Sequence, residues 1–224
     1  MSQAALQHSA EKPGRRLELS DKCITDTGCQ CLVNPWISSR LPAWLLKTSD
    51  TSRQIRAVAG VGPFRQLRRH GRLQLGQCLA TGAGQMKRTN YLLHVGLTPS
   101  FGRPSAKIVE AAIAEVFMTA DKVGTQTVAM PLLGYEQGYA PEQVFQWIVS
   151  AAGKYGADLH AVVVVVNDPE VMAILQPLLK AGEDEMELRL AQKAAAAADA
   201  KAADSQGPTA GGPPPLRLHS ASAA

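Results

Sequence analysis

The sequence predicts an α/β domain, a mixed sheet held between two helical layers, and three observations carry that expectation. Ala161-Val-Val-Val-Val-Val166 is an unbroken β-branched run. Such a run belongs to a central parallel strand covered on both faces, not to one that alternates between core and water. From Thr51 onward, stretches with helical spacing alternate with short apolar stretches, the order that builds βαβ units. Val128 to Met130 runs through Pro131 into a loop carrying Gly134 and Gly138, after which Pro141-Glu142 opens a helix.

Taken in order, Met1 to Gly14 shows no periodicity and reads as a mobile tail. Leu17 to Ser20 and Cys29 to Val33 read as a first pair of strands joined by a turn at Thr25-Asp-Thr-Gly28, an antiparallel-looking start. Trp36 to Leu46 is apolar but interrupted by Pro42, and it is assigned to no element. Thr48-Ser-Asp50 can cap a helix over 51–59 that Gly60 ends, and 64–70 forms a short second helix closed by Gly71. Strands at 73–80 and 91–95 flank a loop over 81–90. Val109, Ala112, Ile113, Val116, Phe117 and Ala120 repeat at the spacing of one buried helical face. Val144, Trp147, Ile148, Ala151, Ala152 and Tyr155 do the same. After the valine run, Asn167-Asp168-Pro169 supplies a cap and a first-turn proline. Val171, Ile174, Leu175, Leu178 and Leu179 then give a last packed helix that Pro177 must kink or shorten. The expected organisation is a tail over 1–14, a domain over 15–181, an Ala/Glu/Lys-rich helix over 182–204 and a Pro/Gly/Ser-rich disordered tail over 205–224.

Composition narrows the function classes. No apolar run approaches membrane-spanning length and the first residues lack the layout of a secretory signal, so the expected setting is intracellular, cytoplasmic, with no membrane partner. Reduced thiols are expected for Cys23, Cys29, Cys31 and Cys78. Cys29-x-Cys31 is too short for a zinc knuckle and no second pair answers it, so no metal and no cofactor is expected, and Cys31 reads as a small buried hydrophobe. The net charge of +4 is unevenly placed: from Thr51 through Val109 there is no Asp or Glu, while Arg53, Arg56, Arg65, Arg68, Arg69, Arg72, Lys87, Arg88, Arg103 and Lys107 fall there. That stretch is either a solvated basic face or a surface for a phosphate-bearing partner such as nucleic acid.

The glycine loop is where chemistry is expected. Main-chain N–H groups around Gly134 and Gly138, at the carboxyl end of a strand and beside a helix N-terminus, suit a phosphate. Tyr135 and Tyr139 flank the glycines and could stack on a base or ribose, or cover the core. His94, mid-strand among Leu92, Leu93 and Val95, reads as a packed, hydrogen-bonded residue.

These residues resemble the macro domain, a family that binds ADP-ribose and in some branches removes it from proteins. Ile24-Thr-Asp-Thr-Gly-Cys-Gln-Cys-Leu-Val-Asn34 resembles the family's opening, Ile55-Arg-Ala-Val-Ala-Gly60 its first helix, and Leu75-Gly-Gln-Cys-Leu-Ala-Thr-Gly82 with Asn90-Tyr-Leu-Leu-His-Val-Gly96 its next two strands. Val128-Ala-Met-Pro131 and the following loop resemble its diphosphate loop, and Val162 to Asp168 its last strand. The resemblance implies a three-layer α/β/α fold and a ligand-binding set of Asn34, Gly134, Tyr135, Gly138, Tyr139 and Asn167. The departures sit in the pocket. Cys23 stands where an acid would meet adenine, Ile37 where an asparagine would contact the distal ribose, and Asn167 where an aromatic would stack. Losing that ring removes a contact of order 1 kcal/mol, and Ile37 cannot position water for hydrolysis. Three readings stay open. The chain is a module for ADP-ribose or a related nucleotide diphosphate without efficient catalysis, meeting the free ligand or ADP-ribosylated protein; or an ADP-ribosyl hydrolase rebuilt on Asp50 or Ser52; or a nucleic-acid-binding protein using its basic stretch.

Overall fold

The structure, a computed structural model, describes residues 16–38, 48–99, 102–156 and 158–205. The expected tail over 1–14, the expected tail over 205–224 apart from Ser205, which ends the last helix, and most of the apolar segment after Ser38 with Trp44, lie outside the described residues. Six strands run β1 (Arg16–Ser20), β2 (Cys31–Ser38), β3 (Cys78–Gly82), β4 (Tyr91–Pro99), β5 (Thr127–Pro131) and β6 (Ala161–Val165). Six α-helices join and follow them: α1 (Asp50–Ala59), α2 (Gly62–His70), α3 (Ala106–Lys122), α4 (Pro141–Tyr155), α5 (Pro169–Leu175) and α6 (Leu179–Ser205).

The strands form one mixed sheet in the order β1-β6-β5-β2-β4-β3, parallel throughout except for β3, which pairs antiparallel with β4 at the edge. The valine run explains the layering. Val162, Val164 and Val166 enter the core beneath α3 and α4, while Val163 and Val165 enter a second core with Ile55 of α1 and Phe64 of α2. A strand with both faces dry needs a helical layer on each side, and both are present. β6 lies one strand in from the β1 edge, with a parallel neighbour on either side.

One expectation is overturned. β1 and β2 are not partners: β1 pairs only with β6, and β2 lies between β5 and β4. The segment expected as a hairpin turn holds a 3-10 turn, Ile24–Asp26, whose Ile24 is buried in the second core. It carries the chain across β6 and β5 instead of reversing it.

Local signals account for most helix boundaries. α1 starts after Ser49, whose Oγ accepts from the Ser52 N–H at 3.2 Å, and ends at Gly60. The expected faces of α3 and α4 are buried, with Trp147 and Tyr155 half-buried at the margin of the α4 face. Pro177 breaks the last pattern: α5 stops at Leu175, a 3-10 turn spans Gln176–Leu178, and α6 begins at Leu179. Ile174 and Leu178, expected in the packed face, are exposed: Val171 and Leu175, one turn apart, take the buried side of α5, and Leu178 falls in the 3-10 turn beyond its end. The strand expected from Leu73 begins only at Cys78. Before it, Gly76 turns the chain, its N–H donating to Gly96 O at 2.7 Å. The chain divides after Leu190. Met186 and Leu190 of α6 reach the main core, and from Ala191 the described chain is helix to Ser205. No helix among the described residues is long and apolar enough to cross a membrane. All four cysteines are free, and burial raises the Cys31 thiol pKa well above its ordinary range.

His94 lies in the buried centre of β4. Asn34 Nδ2 sits 2.8 Å from its Nδ1, Thr81 Oγ1 2.9 Å from its Nε2, and Phe64 and Trp36 pack edge-on against the ring. Burial lowers its pKa from 6.5 to about 4. The folded state therefore holds the imidazole neutral while the unfolded chain takes up a proton, so stability is lost as pH falls from about 6.5 towards 4. Unfolding by denaturant across this window should show a slope of up to about 1.4 kcal/mol per pH unit from this residue. In His94→Gln that slope should shrink. An unchanged slope would assign the acid sensitivity to other groups.

Candidate functional site

The parallel strands β2, β4, β5 and β6 point their carboxyl ends the same way, and a cavity of about 240 Å³ opens there, lined by Pro35, Leu97, Pro131 and Val165 from those strand ends. Its apolar floor is completed by Ile24, Leu132, Leu133, Val166 and Val171. Its polar wall comes from three places: the start of α1 (Asp50, Thr51, Gln54), the glycine loop (Gly134 to Gln137), and the β6–α5 junction (Asn167, Asp168). This is the usual location for a ligand in a parallel α/β sheet.

Of the residues expected at a site, the structure brings Asp50, Gly134, Tyr135 and Asn167 to this cavity. It does not bring Asn34, Ser52, Gly138 or Tyr139 to the lining. Asn34 is fully buried against His94. Ser52 is buried on the inner face of α1, its amide tied to Ser49. The Gly138 carbonyl accepts from Arg103 Nη2 at 2.8 Å. The Tyr139 hydroxyl donates to Pro104 O at 2.7 Å, while its ring packs against Trp147 under the Arg103 guanidinium. Tyr139 thus covers the core on the α3–α4 side, and the aromatic at the cavity is Tyr135. Its hydroxyl donates to Asp168 Oδ2 at 3.3 Å, and partial desolvation together with the Asp168 charge raises the phenol pKa, keeping that donor protonated.

The loop's shape comes from its glycines. Gly134 has φ +108°, and a Cβ on it would stand 2.9 Å from Val109 Cγ1, so both backbone and packing require glycine there. The turn then closes on itself: Tyr135 N–H donates to Leu132 O, Gln137 and Tyr139 N–H to Gly134 O, and Gly138 N–H to Tyr135 O. Most of the amides expected to face a phosphate are used inside the loop. The helix start at the cavity is that of α1, not the α4 start expected from the sequence. α5 offers none either, because Asp168 Oδ1 already accepts from the Glu170 and Val171 amides.

Thr51, Gln54, Gln137 and Asp168 were not anticipated at the site. Positions 50, 51 and 54 share one side of α1, so a polar i, i+1, i+4 cluster at its first turn was the available signal. Gln54 Oε1 accepts from Cys23 Sγ at 3.4 Å, which ties the wall to the cysteine that stands where an acid was expected. Gln137 donates through Nε2 to Thr98 Oγ1, while its Oε1 is buried with no hydrogen-bond partner among the described residues. Asp50, Glu136 and Asp168 put three carboxylates on the lining with no Lys or Arg among its residues. Arg53 pairs with Asp50 from one turn along α1. No group of three or more metal-binding side chains occurs among the described residues.

Comparison with known proteins follows the same outline. No curated protein sequence matches the chain. Among solved structures, it is similar to the macro domain of ganglioside induced differentiation associated protein 2 (16% identity, 73% of this chain and 82% of that one, TM-score 0.60). It is also similar to the Trypanosoma brucei macrodomain in complex with ADP-ribose (16%, 70% and 66%, TM-score 0.59) and to the macrodomain of Mycobacterium tuberculosis DarG (16%, 67% and 98%, TM-score 0.57). At these identities the likeness speaks to the fold. The family model described as "Macro domain" matches residues 43–148, from before α1 into α4. Over that match the chain is similar to the macro family, and its six-stranded mixed sheet between two helical layers is the fold of the macro-domain structures it resembles.

Proposed function

We propose that this macro-like domain binds ADP-ribose or a related nucleotide diphosphate and does so without efficient catalysis. The observation that carries this reading is the open cavity at the carboxyl ends of four parallel strands, walled on one side by the glycine loop. Its apolar floor suits a base, and the buried Gln137 Oε1, lacking a protein partner, suits a ligand N–H or O–H. The structural relative from Trypanosoma brucei was solved with ADP-ribose bound, which supports the ligand class. At about 240 Å³ the cavity is smaller than the roughly 300–1,000 Å³ of drug-sized ligand sites, so it takes the nucleoside end and leaves the phosphates at its rim. There they meet carboxylates and few unused amides, so the diphosphate adds little affinity. Calorimetric titration with ADP-ribose, ADP, NAD and adenosine should give saturable heat with ADP-ribose, adenosine keeping most of the affinity. Gly134→Ala, which displaces the loop wall, should weaken binding by about tenfold or more, equal to about 1.4 kcal/mol. Absence of heat at millimolar ligand would remove the proposal.

A second reading, an ADP-ribosyl hydrolase with a rebuilt site, is favoured by one observation: Asp50 lines the cavity mouth and is well exposed there, whereas Ser52 points into the core. Asp50 is then the candidate for positioning water. Release of ADP-ribose from a modified protein, abolished in Asp50→Ala and retained in Ser52→Ala, is the expected pattern. Activity indifferent to Asp50→Ala would count against it.

A further inference from the structure

The acid-free stretch between Asp50 and Glu110 folds into α1, α2, β3 and β4 with their connections. α2 turns Phe64 and Leu67 into the core and Arg65, Arg68 and Arg69 out to solvent. Arg72 follows its capping glycine, and α1 adds Arg56, whose guanidinium lies 5.4 Å from the Phe64 ring centre. Lys87 and Arg88 sit on the β3–β4 loop, and that loop is fastened to both helices. Gln85 N–H donates to Ala59 O at 3.1 Å, Gly82 N–H donates to Gln66 Oε1 at 3.3 Å, and a Cβ on Gly84 would stand 2.1 Å from Ala59 O. The cations of two helices and a loop are thereby held together on one side of the sheet. Among the described residues the ion pairs are Arg16–Glu18, Arg53–Asp50 and Arg189–Glu185, so only Arg53 of this group has a carboxylate partner.

Seven unpaired like charges on one rigid face repel one another, an unfavourable arrangement that a polyanion would relieve. We infer that this face, separate from the cavity, binds the sugar-phosphate backbone of a single-stranded nucleic acid. Six of the seven are arginines, whose planar guanidinium fork matches a phosphate and can also stack on a base. Val58 and Val61, 46% and 52% exposed at the α1–α2 junction among these cations, offer apolar contact to an unstacked base, which a duplex would keep hidden. A lipid surface fits less well, because the apolar side chains of α2 are buried and cannot insert.

The test is anisotropy of labelled oligouridine and oligothymidine against the full chain, between about 50 and 200 mM salt. The wild type should bind both strands with a steep inverse salt dependence. The triple variant Arg65→Gln, Arg68→Gln, Arg69→Gln, altered only at exposed positions, should bind at least about tenfold more weakly at the lower salt. Its log–log salt slope should be shallower by about 2, from about 0.7 per lost phosphate contact. Lys107→Gln, which removes a cation on α3 in the opposite layer, should leave affinity and slope near wild type. Unchanged thermal unfolding of the triple variant, together with unchanged ADP-ribose heat, would separate this surface from the cavity. No strand binding at low salt would overturn the inference. So would equal binding and slope in the triple variant, or displacement of the strand by polyglutamate or phosphatidylserine vesicles at equal charge concentration.

Discussion

Val162 to Val166 must be dry on both faces of β6, and the rest of the architecture answers that requirement. The side chains alternate between the two apolar layers, so helices must pack on each side of the sheet, and both strand neighbours run parallel to β6. Parallel neighbours need crossover connections, which return the chain to the same end each time. Four carboxyl ends therefore gather at one place with their loops, and the cavity is the space those loops cannot fill. The site is a consequence of the sheet, and its specificity comes from which side chains the loops deliver.

Those side chains divide the molecule electrostatically. The cavity gathers carboxylates, while the outer face of α1, α2 and the β3–β4 loop gathers guanidinium and ammonium groups. α1 belongs to both, since its first turn walls the cavity and its later turns carry Arg53 and Arg56. A small uncharged group fits the first environment and a repeated phosphate the second. The polar cluster of Asn34, His94 and Thr81 takes no part in either. It lies beneath Phe64 and Trp36, where burial keeps the imidazole neutral.

Periodicity made the buried faces of α3 and α4, the cap of α1, the Pro177 break and the covered strand legible, because each is written in residues a few positions apart. The pairing of β1 was not legible that way. Its partner, β6, lies far along the chain, and a turn-like Thr25 to Gly28 next to two short apolar runs looks the same whether the chain reverses or crosses. At the site, the loop itself could be recognised from Gly134, but not the side on which each residue falls. Tyr135 and Tyr139 are equivalent in sequence. Arg103 and Trp147, distant in the chain, hold Tyr139 against the core and leave Tyr135 at the cavity. Ser52 and Asp50 separate for a similar reason: residues two positions apart on a helix point about 200° apart, so only one of them can face the cavity.

The central claim is that the nucleotide sits where β5 and β6 end. Amide chemical shifts of isotopically labelled protein, followed during addition of ADP-ribose, test it most directly. Shifts should concentrate at Thr51, Gln54, Leu133 to Gln137 and Val166 to Asp168, with His94 and Tyr139 nearly still. Perturbations centred instead on α2 and the β3–β4 loop, with the glycine loop unmoved, would contradict the account.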